Sequence, residues 1–556
     1  MAAASWRASI TASDRFPRGR GGLRPFLPFP ARACHQVSAE GTVMQATCGR
    51  VAMPPSNKRR IVIAGGGTAG WMTAAALARF AMPHWQVTLV ESEEIGTIGV
   101  GEATIPMVRL FNRSLGIDER QFLRETHGTW KLGIAFEGWG GFDERYIHGF
   151  GLTGRSLGVL PFHHYWLRGR AMGAAGPLGD YVLNAVACEE GRFAHIDRPE
   201  GSALPPMPYA YHFDASLYAA FLRRYAEERG VLRIEGRIQS AARDCSTGDI
   251  ASLKLADGHE VEGDLFIDCS GFRSLLLGQE MGVEYVDWSH WLRCDRAVAV
   301  PCERAGPLVH YTRSIAQPAG WCWRIPLQHR TGNGHVFCSD AMGEDEATAR
   351  LLGRLDGRQL AEPRTIRFKA GRRETFWKNN VVAVGLSSGF IEPLESTSIH
   401  LIQTAISRII DFLPNGPVQA ADRDAYNRLS VFEIERIRDF VILHYVANGR
   451  HGEPFWDSLR AMEIPETLAK RIAMFRASGR IVREHEELFD VPGWVQVMVG
   501  QGIMPERWHP LADQLDRTNL SAFLETVSEA YRKDVARMPL HADYLEHVCG
   551  KVAAHA

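Results

Sequence analysis

Short apolar runs and one helical periodicity divide the chain into two kinds of structure. Three runs have the pattern of buried strands that end in glycine or in a serine–glycine pair: Ile61–Ala64, Leu265–Asp268 and Val381–Val384. Further on, apolar and aromatic residues recur at the spacing of one helix face: Ile437, Phe440, Val441, His444 and Tyr445. The pattern predicts an α/β core over residues 58–413 and a mostly helical, substrate-binding cap over residues 414–556.

The first of these strands runs into a glycine turn and an alanine-rich helix. In GGGTAG, three glycines fit G-x-G-x-x-G, where the first allows a tight turn, the second admits a pyrophosphate and the third packs helix on strand. The next strand, in WQVTLVES, ends in Glu91, an acid placed to accept hydrogen bonds from a ribose. This combination predicts a dinucleotide site, with a tight βαβ turn as the simpler alternative. The expected contacts are Gly65, Gly67, Thr68, Ala69, Gly70 and Glu91.

The spacing of the later strands favours FAD over NAD. The strands that begin at 265 and 381 lie far from the glycine turn, whereas a compact NAD domain has its strands in quick succession. Strands followed by glycine that lie so far along the chain and still join the first βαβ unit are typical of FAD-dependent oxidoreductases of the hydroxylase type. We therefore predict a GR2/hydroxylase-like FAD domain, with a three-layer ββα nucleotide fold and an interleaved β-sheet. Further cofactor contacts are expected at Ile238, Leu386 and Ile399.

Composition narrows the function classes. Lys and Arg total 63 against 64 Asp plus Glu among 556 residues, and this neutral balance argues against nucleic-acid binding. No run reaches about 18 apolar residues, so we expect no membrane span. The ten cysteines include no C-x-x-C pair, which argues against a metal site or a redox dithiol and favours reduced thiols in the cytoplasm.

The N-terminal residues differ from the rest. Before Met53 there are seven arginines but only two acidic residues, with Pro, Gly and Ala throughout. An organelle transit peptide would explain this composition, and so would an upstream start codon with translation beginning at Met53; we favour the second. In either case residues 1–57 are predicted to be a disordered extension.

The most specific stretch is AGWCWRIPL, where Trp321, Trp323, Ile325 and Pro326 form W-x-W-x-I-P. Two tryptophans spaced by two share one face of a strand and are common in cores, but the Ile-Pro that follows makes a chance match much rarer. The motif resembles the signature of flavin-dependent halogenases, the tryptophan halogenase family, and the resemblance covers residues 61 to about 544. It implies FAD in its reduced form, O2, and chloride or bromide as the halide ion.

The resemblance places the reaction centre in two other stretches. WKLGIAFEGW would carry the active-site lysine at Lys131, and FIEPLESTSIHLIQ would carry the catalytic glutamate at Glu395. Lysines usually bury only their stems, and burial in the Trp130–Phe136 environment would lower the pKa of Lys131 and favour its amine form. The halide contacts would be Thr397 and Ser398. The best-studied members have glycine at the second position, which leaves the choice of halide open.

The substrate side is less sharply defined. RYIHGFG places His148 and Phe150 as an H-x-F pair, which holds the indole in tryptophan-type members and suits any electron-rich arene. Trp456, after the helical pattern, is a third expected contact. Trp321 and Trp323 would form a wall that keeps the substrate away from the flavin. For each of these residues, ordinary core packing is the alternative interpretation.

The activity that the resemblance implies has two stages. Reduced FAD and O2 oxidise a halide to hypohalous acid; Lys131 then captures or orients it for attack on an indole or tryptophan-like arene, and Glu395 takes the proton that the ring loses. GVGEATIP, residues 99–106, resembles the family's strap beside the flavin. No second G-x-G-x-x-G follows, so we expect a separate NAD(P)H-dependent reductase to supply FADH2 by diffusion, and a homodimer remains open. The alternatives are an aromatic monooxygenase and a non-catalytic flavin-binding protein.

Overall fold

In the computed structural model, the described residues are 58–81, 84–94, 101–196, 198 and 204–550. The extension at 1–57 and the first two strap residues, Gly99 and Val100, lie outside these ranges, so the expectations for them stay predictions. Within the described ranges, no helix combines the length and the apolar character that crossing a bilayer requires.

A six-stranded sheet carries the nucleotide fold. Its strands lie in the order Trp377–Lys378, Val381–Ala383, Leu265–Asp268, Arg59–Ala64, Trp85–Glu91 and Leu232–Glu235, and all but the first are parallel to one another. The two late strands join the first βα unit as predicted, because Leu265 pairs with Ile61 and Val381 pairs with Phe266.

The central strand Arg59–Ala64 is apolar on both faces because both faces are covered. Ile61 and Ile63 belong to the same apolar cluster as the helix Thr68–Phe80, whereas Val62 and Ala64 pack with a separate antiparallel sheet. The strands of that sheet are Ile238–Arg243, Ile250–Leu255 and Glu260–Glu262. Sheet, sheet and helix give the predicted three-layer ββα arrangement.

A seven-stranded sheet forms the interleaved layer and carries the W-x-W-x-I-P motif on its strand Gly320–Pro326. Its strands lie in the order Arg364–Arg367, Arg296–Glu303, Arg330–Phe337, Gly320–Pro326, Thr312–Gln317, Gly133–Glu137 and Arg145–Gly149. One three-stranded sheet consists of Gly101–Ala103, Ala210–Asp214 and Thr129–Lys131, and another of Tyr285–Asp287, Gly371–Arg373 and Gly389–Phe390.

Helices surround these sheets and account for the regular structure after residue 413. Those of the core are Thr68–Phe80, Met107–Ser114, Glu119–Glu125, Phe162–Ala171, Leu183–Glu190, Ala215–Glu227, Glu344–Leu352 and Ser398–Asp411. Residues 414–550 contain Ala420–Val446, Pro454–Arg460, Glu466–Ser478, Val491–Gly500, Arg517–Ala536 and His541–Cys549 and no strand. Short helical turns are Leu178–Tyr181, Gly271–Arg273, Leu275–Glu280, Gly385–Ser387, Pro393–Glu395 and Pro510–Gln514.

The long helix Ala420–Val446 brings the C-terminal part onto the α/β core. The predicted apolar face lies near the end of this helix, where its members are all buried: Ile437, Phe440, Val441, His444 and Tyr445. Apolar side chains of the helix and of the α/β core belong to one continuous cluster. The end of this helix therefore reaches the interior of the core.

Candidate active site

A cavity of about 560 Å³ opens where the parallel strands of the six-stranded sheet end. Ligands of open α/β sheets bind at this edge, and the volume lies in the range of cofactor sites. Most residues predicted to contact the cofactor line it: Gly65, Gly67, Thr68, Ala69, Glu91, Ile238, Leu386 and Ile399. Ser398, Trp321 and Trp323 line it as well.

The three glycines of the turn have different roles. Gly65 has a φ of +115°, and a Cβ there would lie 2.4 Å from the main-chain oxygen of Cys269, so the turn excludes a side chain. A Cβ at Gly67 would meet no described atom within 4 Å, which leaves the backbone open to a phosphate. Gly70 does not line the cavity, since a Cβ there would lie 1.9 Å from the oxygen of Gly65. It is a packing residue in the described structure, and the cofactor contact expected there stays a prediction.

The groups next to the glycine turn fit the pyrophosphate and a ribose of FAD. Gly67 is the N-cap of the helix Thr68–Phe80, and no described side chain caps the helix, so its first main-chain N–H groups can bind an anion. Glu91 is oriented by Arg233, whose Nε donates to Oε1 at 2.6 Å, and by Trp71, whose Nε1 lies 3.3 Å from Oε2. Open backbone, uncapped helix and oriented acid suit a pyrophosphate followed by a ribose.

Lys131 lies beside the cavity and not in its wall. Its side chain is fully buried, with 0 % exposure, and Nζ donates to Ser396 Oγ at 2.7 Å. Nζ also lies 5.4 Å from the centre of the Phe150 ring. Burial lowers the pKa of Lys131 to about 7, although the charge of Glu395 opposes this effect. Near neutral pH, the lysine is therefore a mixture of ammonium and free amine.

Ser396 connects the cavity with the lysine. It lines the cavity and accepts the hydrogen bond from Lys131. Its φ of 59° lies in the left-handed region, which side chains other than glycine seldom occupy and which is enriched at functional sites. This turn of the backbone separates the two adjacent side chains, because Ser396 lines the cavity and Glu395 does not.

Glu395 lies between two histidines from distant parts of the chain. His148 Nδ1 is 3.1 Å from Oε1 and 3.0 Å from Oε2, and His444 Nε2 is 2.9 Å from Oε1. All three side chains are buried. Burial alone would raise the pKa of Glu395, but the two imidazoles lower it to about 2. The site therefore combines an ionised carboxylate with a lysine of reduced basicity.

Thr397 has an unsatisfied hydroxyl beside this cluster. It is the N-cap of the helix Ser398–Asp411, but its side chain does not cap the helix. Its Oγ1 is buried, and no described residue forms a hydrogen bond with it. Such a group costs about 1–3 kcal/mol unless a ligand pairs with it. Together with the helix N-terminus, this hydroxyl suits a small anion, and Ser398 lines the cavity next to it.

The two motif tryptophans are held by the surrounding structure. Trp321 Nε1 donates to Glu392 Oε2 at 3.0 Å, and the Tyr445 hydroxyl donates to the same oxygen. Burial raises the pKa of Glu392 to about 7 in spite of these two hydrogen bonds. Trp323 lies over Gly334, where a Cβ would be 2.0 Å from the indole ring. Both indoles are therefore fixed elements of the cavity lining.

Two of the predicted substrate residues lie at the lysine and the glutamate. Phe150 turns its ring toward Lys131, so it borders Nζ. His148 is bonded through Nδ1 to Glu395, and its ring packs 5.8 Å from that of Phe440. His148 is thus placed to orient the glutamate, and the expected stacking of its ring on an arene stays a prediction.

Trp456, the third predicted substrate residue, is packed away from the cavity. Its ring lies 5.1 Å from that of Trp139 and 5.9 Å from that of Tyr445. Its Nε1 donates to the main-chain oxygen of Gln317 at 2.7 Å. With its ring covered and its polar atom paired, Trp456 has the packing role that was the alternative interpretation.

Several residues of the site are not evident from the sequence. In the sequence, His444 is only one member of an apolar helix face. The one signal that could have marked it is the presence of a histidine among apolar residues on that face. Ser396 and Glu392 lie within the stretch FIEPLESTSIHLIQ but belong to no motif of their own. Trp71 and Arg233, which hold the ribose acid, carry no recognised signal.

Together, the cavity and the cluster beside it define a flavin-type oxidoreductase with a buried lysine and a buried glutamate outside the cofactor cavity. The family model of the tryptophan halogenases matches residues 60–517. The tryptophan 6-halogenase SttH of Streptomyces toxytricini is 33% identical over 527 residues, which cover 88% of this chain and 98% of that protein. The chain therefore belongs to the tryptophan halogenase family.

Solved structures agree with this assignment. The flavin-dependent halogenase Xcc4156 from Xanthomonas campestris is 51% identical with a TM-score of 0.86, over 89% of this chain and 99% of that one. BrvH, a flavin-dependent halogenase from Brevundimonas sp. BAL3, is 44% identical with a TM-score of 0.85, over 88% of this chain and 99% of that one. The predicted fold class, an FAD-binding halogenase fold with a mostly helical C-terminal part, is confirmed.

Proposed function

We propose that this chain uses reduced FAD, O2 and chloride or bromide to halogenate an electron-rich arene such as an indole or a tryptophan-like molecule. The observation that carries the proposal is the position of Lys131, which is buried, has a lowered pKa and is separated from the cofactor cavity by Ser396. A hydroxylase must bring its substrate to the flavin, so a lysine behind this turn would serve no purpose. A diffusible oxidant, by contrast, needs a residue that captures it at a distance.

FAD, when bound and reduced, supplies together with O2 the two-electron oxidation that turns a halide ion into hypohalous acid. The halide is held by the Thr397 hydroxyl, which lacks a described partner, and by main-chain N–H groups at the start of the helix Ser398–Asp411. Ser398 adds a side chain on the cavity side of this position. Its size sets the room for chloride or bromide.

Lys131 receives the hypohalous acid. The free amine can be halogenated, and the ammonium can polarise the acid through a hydrogen bond; the lowered pKa makes both forms available near neutral pH. Ser396 fixes the direction of Nζ. Glu395 stabilises the positive charge on the arene after the halogen adds and then accepts the proton that the ring loses.

The substrate class extends beyond tryptophan. Phe150 lies 5.4 Å from Nζ, and its ring is a surface on which an arene can pack. SttH is named for tryptophan; for this chain we propose electron-rich arenes, of which indole is the simplest. Because the sequence has a single G-x-G-x-x-G motif, we propose that a separate NAD(P)H-dependent reductase supplies FADH2.

The test combines the purified chain with FAD, a flavin reductase, NADH, O2 and indole or a larger arene, with bromide in one vessel and chloride in another. Mass spectrometry should find the monohalogenated arene. An oxygenated arene would support the monooxygenase alternative and overturn the proposal. Bound flavin without any product from a range of arenes would support the non-catalytic alternative.

Replacing the lysine separates capture of the oxidant from its formation. Lys131→Ala should abolish the halogenated product while oxygen consumption and flavin binding stay at the wild-type level. Lys378→Ala, which removes an exposed lysine that donates to the main-chain oxygen of Met281, serves as the control and should leave product formation unchanged. Full product formation by Lys131→Ala would refute the assigned role.

Replacing the threonine tests the halide site. Thr397→Val keeps the shape of the side chain but removes the hydroxyl, so it should raise the KM for halide by about tenfold, as expected for one lost buried hydrogen bond. The affinity for FAD should not change, because Thr397 does not line the cofactor cavity. An unaltered KM for both halides would place the halide elsewhere.

A further inference from the structure

A series of three hydrogen bonds connects the cofactor cavity with the strand that ends in Lys131. Thr312 lines the cavity, and its Oγ1 lies 2.9 Å from Nε2 of His212. On the other side of the ring, Nδ1 lies 3.2 Å from Oγ1 of Thr129, which donates to the main-chain oxygen of Pro326 at 2.8 Å. The series therefore ties a residue of the cavity wall to the last residue of the W-x-W-x-I-P motif.

The direction of each hydrogen bond follows from the carbonyl group at the end of the series. A carbonyl oxygen only accepts, so the single hydroxyl hydrogen of Thr129 points to Pro326. Oγ1 of Thr129 then accepts from His212, which places the hydrogen of the ring on Nδ1. His212 is fully buried, the described partners of its ring are hydroxyl groups and not carboxylates, and burial lowers its pKa well below the ordinary value. The ring is therefore neutral, and Nε2 accepts the hydroxyl hydrogen of Thr312.

These bonds leave Oγ1 of Thr312 as an acceptor only. Its hydrogen is committed to His212, while the lone pairs of a hydroxyl oxygen can still accept from a ligand. Ser314 lies two positions further along the strand Thr312–Gln317 and so on the same face. It also lines the cavity, and its buried Oγ has no partner among the described residues. This face of the strand therefore suits a ligand with polar groups.

The position of Thr312 points to the reacting edge of the flavin ring. The ring of His212, its partner, lies close enough to Lys131 to interact with the charge of the lysine. Lys131 in turn donates to Ser396, the residue before the two expected halide contacts. In the proposed function, the halide meets the reacting edge of the ring at that turn. A nitrogen on this edge is an acceptor in oxidised FAD and carries a hydrogen in reduced FAD.

We propose that Thr312 selects reduced over oxidised FAD by accepting a hydrogen bond from the ring nitrogen that gains a hydrogen on reduction. The inference rests on the proposed function, which puts reduced FAD in this cavity. His212 is a positioning residue, since it holds the hydrogen of Thr312 and keeps the hydroxyl from turning round to donate. Toward oxidised FAD the same oxygen faces an acceptor, and two buried acceptors without a hydrogen between them are unfavourable. The site therefore favours the form that a reductase delivers and releases the oxidised form more readily.

Anaerobic binding titrations test this selection without turnover. The apo chain is titrated with FAD and with dithionite-reduced FAD, and the ratio of the two dissociation constants is compared between variants. Thr312→Val keeps the shape but removes the acceptor, so the preference for FADH2 should fall by about tenfold, as expected for one buried hydrogen bond. Thr312→Ser keeps the hydroxyl and should keep the preference. Thr126→Val is the control, since Thr126 is also buried but donates to the main-chain oxygen of Phe122 and does not line the cavity.

The ratio separates selection from a general loss of structure. An unchanged ratio in Thr312→Val, including an equal loss of affinity for both forms, overturns the proposal, and so does a ratio that Thr312→Ser loses as well. If Thr312→Val does not fold, the midpoint potential of FAD on the wild-type chain decides.

A tenfold preference for FADH2 raises the potential of this two-electron couple by about 30 mV. The potential of the bound cofactor should therefore lie above that of free FAD, and an equal or lower potential refutes the selection. Selection of FADH2 through Thr312 in a chain that halogenates no arene would support this inference and refute only the proposed function.

Discussion

Replacing Lys131 by methionine should make the protein more stable while it removes the amine to which we assign the capture of the oxidant. The lysine is fully buried, and Nζ donates to the Ser396 hydroxyl. Burial lowers the pKa of Lys131 to about 7 because the interior disfavours the ammonium. Methionine has a similar length and no charge to desolvate. The buried lysine therefore destabilises the fold.

The magnitude follows from the two pKa values. An ordinary lysine has a pKa of 10.5, and Lys131 has a folded-state pKa of about 7. Between these values the unfolded state binds one more proton than the folded state, so the stability of the wild type rises with pH in this window. At about 1.36 kcal/mol per pKa unit, the destabilisation is roughly 5 kcal/mol below pH 7 and disappears above the pKa of the unfolded state.

Thermal or urea midpoints of the apo chain, taken at about pH 6 and about pH 9, would measure this effect. Lys131→Met should have a clearly higher midpoint than the wild type at the lower pH, and the gap should narrow at the higher pH. Lys470→Met is the control, because Lys470 is exposed and pairs with Glu466 on the surface, and its midpoint should follow the wild type at both. A Lys131→Met protein that is less stable at the lower pH, or a gap that does not depend on pH, would refute the reasoning.

Two further predictions concern groups around the cavity. Glu392→Gln should stabilise the protein at about pH 8 but not at about pH 5. Burial raises the pKa of this carboxyl from 4.5 to about 7, so between these pH values the folded state binds one more proton than the unfolded state. The wild type therefore loses roughly 3 kcal/mol of stability as the pH rises through this window. Thermal midpoints of the wild type and the variant at both pH values measure this effect. An equal difference between the two midpoints at pH 5 and pH 8 would contradict the prediction. Gly67→Ala should weaken FAD binding in a fluorescence titration without lowering the thermal midpoint, whereas Gly70→Ala should lower the midpoint, because its Cβ would overlap the Gly65 oxygen. A lower midpoint for Gly67→Ala together with weaker FAD binding only in Gly70→Ala would contradict these two roles.

The nucleotide half of the fold was predictable because its signals are local. The glycine turn at 65–70 needs a tight turn, an open backbone and a close packing contact, and each need falls on one glycine of the motif. The strand Arg59–Ala64 is apolar at successive positions because it is covered on both faces, and such a run is visible in the sequence. Gly70, expected as a cofactor contact, does not line the cavity, because sequence spacing does not tell which atom faces it.

The surroundings of Glu395 could not be predicted in the same way because they depend on side chains far apart in the chain. His148 lies 247 positions from Glu395, and its sequence neighbours suggested an aromatic stack instead. The helical period places His444 on an apolar face, but it does not reveal that this face meets a carboxylate. Trp456 follows the helix as expected, yet its ring meets Trp139 rather than the cavity.

The long helix Ala420–Val446 contacts the turn that carries Glu392 and Glu395. Two adjacent residues of the helix bind two carboxylates of one turn: His444 faces Glu395, and Tyr445 donates to Glu392. Adjacent side chains leave a helix about 100° apart, so this pair sets the rotation of the helix relative to the turn as well as its distance. Glu392 also binds Trp321 of the motif strand. A shift of the helix would therefore move Glu395 and Trp321 together, and Glu395 would transmit the change to Lys131.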